Sequence, residues 1–64
     1  MKIIIGKKYH ITDYEGNDLP GEWIPITFHG WWYQTITPQG GFCHVKPSEF
    51  KEQIKEGERN EKRK

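Results

Sequence analysis

The chain has 64 residues, a net charge of +1 and three each of Trp, Tyr and Phe, a length that holds one domain and buries about 60% of its unfolded surface. Cys43 is its single cysteine, which excludes an internal disulfide and fits a reducing compartment, so a cytoplasmic location is expected. No run approaches the roughly 20 apolar residues of a membrane span, and Ile3, Ile4 and Ile5 fall short of the roughly 7–15 apolar residues of a signal peptide.

From the N-terminus, Ile3, Ile5, Tyr9 and Ile11 share one parity while Lys8, His10 and Thr12 take the other. This period-two pattern predicts a half-buried strand over residues 3–13, with a bend or bulge at Gly6. Residues 13–22 are dense in turn formers and predict a loop. Trp23 to Phe28 alternates again, but Pro25 cannot donate to a ladder, so an edge strand or a strand start is expected there. Such an edge would also offer a route to a homodimer. His29-Gly30 predicts a tight turn, Trp31 to Thr37 an aromatic and β-branched strand, and Pro38 to Gly41 a hairpin turn leading into a short strand, Phe42 to Val45.

Pro47-Ser48 opens a different pattern. Ser48 suits an N-cap, Glu49 suits the positive end of a helix, and Phe50 and Ile54 lie four apart, so a short helix ending at Gly57 is expected. Its like-charge pairs Lys51–Lys55 and Glu52–Glu56 make it a weak one. Residues 57–64 have no apolar member after Gly57 and predict a disordered, basic tail. The fold class expected is mainly β: a four- to five-stranded antiparallel SH3-like barrel or bent sheet over residues 1–56, closed by a C-terminal helical turn.

Charge is distributed unevenly along this frame. Residues 9 to 45 contain no Lys or Arg but carry Asp13, Glu15, Asp18 and Glu22, while lysines cluster before and after them. An acidic, aromatic middle disfavours phosphate contacts, which supply most non-specific affinity for nucleic acid. It suits a protein partner with a neutral or basic surface instead.

Catalytic constellations are absent from the sequence pattern. His10, His29, Cys43 and His44 could ligate zinc, but no paired short spacing occurs, and Cys43 and His44 are strand neighbours that point to opposite faces. The same geometry argues against a Cys–His nucleophile. Gly40-Gly41 lacks the Lys-Ser or Lys-Thr of a phosphate loop. No cofactor or metal is implied, and the chain is read as a non-enzymatic binder.

The aromatic residues carry the functional reading. Trp32 is expected to join Ile24, Ile26, Phe28 and Ile36 in the core, which leaves Trp31 and Tyr33 on the opposite face beside the acidic loop. Trp and Tyr are frequent binding anchors because they bury much area for little entropy.

Asp13-Tyr14, the acids Glu15, Asp18 and Glu22, the pair Trp31-Trp32, Gly41 and the run Pro47-Ser48-Glu49-Phe50 follow one another in an order that resembles SH3 domains. That resemblance covers residues 9 to 50. It implies a peptide groove formed by Tyr14, Trp31, Pro47 and Phe50, with Asp18 or Glu22 meeting a basic ligand residue. The segment between Asp13-Tyr14 and the Trp pair is shorter than in that family, and the step from Gly41 to Pro47 is longer. In size and single thiol the chain is also similar to accessory proteins of phages and mobile elements, which occlude sites on host proteins. The candidate partner-binding residues are therefore Tyr14, Asp18, Glu22, Trp31, Tyr33, Pro47 and Phe50. The alternative is a small barrel that stacks single-stranded nucleic acid on the same rings, using Lys7, Lys8 and the basic tail.

Overall fold

A computed structural model describes residues 2–54. Five strands, β1 (Lys8–Thr12), β2 (Asp18–Phe28), β3 (Tyr33–Ile36), β4 (Phe42–Val45) and β5 (Phe50–Ile54), form one antiparallel sheet in the order β4-β3-β2-β1-β5. The sheet is unclosed, with β4 and β5 at its two edges. The mainly β expectation holds at this level. Among the described residues no helix is long and apolar enough to cross a membrane.

The predicted C-terminal helix is replaced by structure of another kind. Pro47–Glu49 is a single 3-10 turn, capped by Lys46 rather than Ser48, and Phe50–Ile54 runs as a strand. Two facts explain the substitution. Residues four apart share a face in a strand as well as in a helix, so Phe50 and Ile54 could not distinguish the two periods. The outer edge of β1 needs hydrogen-bond partners, and β5 supplies them through Lys8↔Ile54, Tyr9↔Gln53, His10↔Glu52 and Ile11↔Phe50. Gly57 and the predicted tail over residues 57–64 lie outside the described residues.

The turn-rich segment 13–22 divides in two. Only residues 13–17 form the β1–β2 loop, and Asp18 already stands on β2 opposite Thr12. Between the pairs Tyr9↔Trp23 and Ile11↔Leu19, β2 spends more residues than β1, so Pro20, Gly21 and Glu22 are absorbed as a bulge. Gly21 is required at its position: its φ is +97°, and a Cβ there would collide with the Pro38 ring.

Trp23 to Phe28 lies on the central strand of the sheet, but β2 pairs with β1 only up to Trp23 and with β3 from Ile24 on, so the segment after Trp23 has a strand partner on one side only. Pro25 is tolerated because it stands where β2 has already left β1. It pairs with Thr35 on β3, and its carbonyl, on the opposite side, accepts the Gly6 N–H at 2.7 Å. The missing proline donor therefore costs no ladder bond. Gly6, at φ +89°, makes the bend expected there, and the strand begins only at Lys8.

The core is Tyr9, Ile11, Val45 and Phe50, with Ile3, Leu19, Trp23, Tyr33 and Cys43 packed against it. Tyr9 and Ile11 follow the predicted parity. The face assignment of β3 is the reverse of the expectation: Tyr33 and the buried Thr35 turn inward, while Trp32 does not enter the core and Phe28 remains exposed. Strand β3 begins at Tyr33, so the alternation that was to set Trp31 beside Tyr33 is interrupted by the β2–β3 link. The Tyr9 hydroxyl accepts the Ile4 N–H at 2.7 Å and donates to the Lys2 carbonyl at 3.3 Å, which ties the N-terminal segment over the core.

Candidate functional site

The β1–β2 loop, the β2–β3 link and the 3-10 turn between β4 and β5 line two hollows with Lys46 and Glu49 in common, and each connection is held by its own sequence chemistry. In the β1–β2 loop, Asp13 makes an Asx turn: its Oδ1 accepts the N–H groups of Glu15 and Asn17, each at 2.9 Å. The Asp13 N–H donates to the Asn17 carbonyl, and Gly16 supplies the positive φ that the turn demands. The Asn17 N–H holds the Asp13 carboxyl below the usual carboxylate range, helped by the Glu15 N–H and by the Asn17 side chain. A loop pinned in this way keeps Tyr14 at its outer corner, 86% exposed.

In the β2–β3 link, the His29 N–H donates to the Trp32 carbonyl at 2.8 Å across Gly30, whose φ is +90°. Trp31 stands in this link, 65% exposed. The Trp32 ring lies between two imidazoles, with its centroid 4.3 Å from His29 and 3.8 Å from His44. That stack fixes the link against β4 and leaves the neighbouring Trp31 as the outward ring.

In the 3-10 turn, the Lys46 N–H donates to Glu49 Oε1 at 3.0 Å and the Glu49 N–H donates to the Lys46 carbonyl at 2.9 Å. This reciprocal cap rigidifies the turn that Pro47 opens. Lys46 Nζ stands 5.8 Å from the Trp31 ring centroid, within cation–π range.

Two hollows are lined by these connections. One of about 310 Å³ is bounded by Trp31, Trp32, His44, Lys46 and Glu49. The other, of about 270 Å³, is bounded by Thr12, Asp13, Tyr14, Gly16, Lys46, Ser48 and Glu49. They share Lys46 and Glu49, so together they make an open groove with an aromatic ring at each end.

Of the residues singled out from the sequence, Tyr14 and Trp31 are brought to this groove, while Pro47 opens the 3-10 turn beside it without lining either hollow. Phe50 is not brought there: it is 5% exposed and packs edge-on against Tyr9 and Tyr33, with ring centroids 5.2 and 5.5 Å away. Tyr33 is half-buried between Phe28 and Phe50. Asp18 and Glu22 stand on β2, each beside a lysine: Lys51 Nζ, on β5 across β1, is 2.9 Å from Asp18 Oδ1, and Lys8 Nζ, on the adjacent β1, is 3.4 Å from Glu22 Oε1. Asp18 lines a separate hollow with His10, Ile11, Leu19, Lys51 and Glu52.

Trp32, His44, Lys46, Ser48 and Glu49 belong to the groove and were not anticipated. Lys46 and Glu49 stand three apart, but lysine has no acceptor to make a capping box, so only the Glu49 half of that motif, its carboxylate on the Lys46 N–H, is present. The His29–Trp32–His44 stack had none, because His44 reaches Trp32 only through the pairing of β3 with β4.

Cys43 turns toward the core and His44 away from it, as strand alternation requires. Burial pushes the Cys43 thiol up, and the charge of Glu49 adds to the effect. A thiol so placed is a poor nucleophile. Among the described residues no group of three or more His, Cys, Asp and Glu converges as a metal site would. The chain matches no protein-family model, no curated protein and no solved structure.

Proposed function

We propose that the chain is a non-enzymatic module that binds an extended segment of a partner protein in the groove between Tyr14 and Trp31. The observation that carries this reading is the pair of exposed rings, the most exposed large hydrophobics of the described chain, standing on pinned connections at the two ends of one groove. Rings held on rigid connections lose little entropy when they are covered, which is what a binding anchor requires. The raised Cys43 thiol favours binding over nucleophilic chemistry.

The SH3-like reading of the fold belongs to the same proposal. Tyr14 and Trp31, two of the four residues that the resemblance assigns to a peptide groove, line the observed one, and Pro47 opens the turn that carries Lys46 and Glu49. Phe50, the remaining one, belongs to the core instead. Orientation of the ligand falls to Lys46, Ser48 and Glu49 rather than to Asp18 and Glu22, whose charges are met by Lys51 and Lys8. The mode of action is steric: a partner surface held in the groove is withheld from its other ligands.

The experiment is a pull-down from lysate of the native host with wild-type protein and with Trp31→Ala, each with and without nuclease. One protein retained by the wild type after nuclease, and lost with a Trp31→Ala variant of unchanged Tm, is the expected result. Recovery abolished by nuclease would transfer the groove to single-stranded nucleic acid, with Lys46 beside Trp31 as its cationic element.

A further inference from the structure

The two edges of the sheet differ in a way that bears on how copies of this chain meet. Edge strands present unpaired N–H and C=O groups, and proteins ordinarily blunt them with charges or proline. The β5 edge follows that rule, with Lys51 and Glu52 on it. The β4 edge does not: no Asp, Glu, Lys or Arg occurs anywhere from Thr37 to Val45, and Pro38 lies in the turn rather than on the strand. Phe42, at the start of β4, is 62% exposed.

The hairpin defines which backbone groups are open. The Thr37 N–H donates to the Gly41 carbonyl at 2.8 Å, so residues 37 and 41 form a hydrogen-bonded pair. Antiparallel ladders alternate. The pairs Ile36↔Phe42 and Gln34↔His44 are therefore the non-hydrogen-bonded ones, and the N–H and C=O groups of Phe42 and His44 face away from β3. Among the described residues only β3 pairs with β4.

We infer that this edge pairs with the same edge of a second copy, β4 against β4 about a two-fold axis, in the register that sets Phe42 opposite His44 of the other copy. That register is self-complementary. Both residues of each such pair have their backbone groups open, so each pair exchanges both its bonds. Cys43 falls on the axis in a non-hydrogen-bonded pair. Lys46 meets Gly40 of the other copy, so no like charge is opposed across the axis. On the outer face, Phe42 of one copy comes beside the His44 ring of the other, which is already stacked on Trp32. The aromatic row His29–Trp32–His44 is thereby extended by a ring that the isolated chain leaves in water.

Sedimentation across micromolar to millimolar concentration, combined with amide hydrogen exchange, tests this. Wild-type protein is expected to dimerise with rising concentration, with the Phe42 and His44 N–H groups gaining protection as it does. Phe42→Lys, an exposed substitution that puts the missing charge on the edge, is expected to abolish the dimer and return both amides to fast exchange while the core amides stay protected. Gln53→Lys, on the opposite edge, is expected to leave the dimer intact. A chain monomeric throughout overturns the inference. So does a dimer in which Phe42 and His44 exchange no more slowly than in the monomer. His44 and Lys46 also line the hollow at Trp31, but sedimentation and amide exchange need no ligand there and Phe42 does not line it, so this test and that of the binding reading fail separately.

Discussion

Phe50 and Trp31 were both candidates for one binding surface, and the structure separates them sharply enough to predict opposite behaviour. Phe50 is 5% exposed and in edge-on contact with Tyr9 and Tyr33. Truncating a phenylalanine so placed to alanine costs about 3–5 kcal/mol, the transfer term plus the cavity left behind. A domain of this size is stable by only about 3–10 kcal/mol at the usual 0.05–0.15 kcal/mol per residue. Phe50→Ala should therefore lose a third or more of the total stability. At about 4–8 °C per kcal/mol, Tm should fall by roughly 12 °C or more, or the transition should vanish. Trp31 is 65% exposed, and its replacement by alanine should stay within about 0.5 kcal/mol, a shift of a few degrees at most. Thermal unfolding followed by circular dichroism, with urea titration as the second probe, reads both. Phe50→Leu, which preserves most of the volume at a cost of about 1.5 kcal/mol or less, then allows binding to be measured on a folded variant. Binding should survive it. A Phe50→Ala protein that melts within 5 °C of wild type, by the same scaling of about 4–8 °C per kcal/mol, would refute the core assignment, and a Trp31→Ala protein that loses its transition would refute the groove.

Tyr9→Phe removes the acceptor of the Ile4 N–H and should cost about 1 kcal/mol, with faster amide exchange at Ile4 as its local signature. Gly21→Ala meets both a positive φ and the Pro38 ring, so a loss of about 1–3 kcal/mol is expected in denaturant titration, and an unchanged midpoint would contradict the close approach. Asp13 has its carboxyl held low in the folded state, so its contribution is present above the unfolded value near 3.9 and lost as pH falls through the lower folded one. Wild type and Asp13→Asn should accordingly converge in stability at acid pH and diverge toward neutrality, with the wild type the more stable.

Much of the backbone was legible because its signals are local. The bend at Gly6, the hairpin at Pro38 to Gly41, the inward set Tyr9 and Ile11 and the strand at Phe42–Val45 all follow from residue spacing and turn chemistry over a few positions. The failures share one cause. Residues 48–54 were ambiguous between two periods, and the unfilled edge of β1 decided for a strand. Pro25 marked the segment as an edge, and its pairing is one-sided as that requires, but the strand as a whole stands in the middle of the sheet because its first half pairs with β1. Trp31-Trp32-Tyr33 alternates on paper, but two of its three residues belong to a link, so the faces of the rings were decided by His29 and His44.

Charge makes the division plainest. By itself the sequence determined that cations flank an acidic middle, that aromatics dominate that middle, and that the chain folds as a small β domain without disulfides. It could not determine whether the acids face a partner. Strand order decided that, because β1 pairs with the first half of β2 and brings Lys8 to Glu22, while β5, on the far side of β1, reaches across it from Lys51 to Asp18. Charges separated along a chain interact according to their distance in space, and in a sheet that distance is decided by which strands are neighbours.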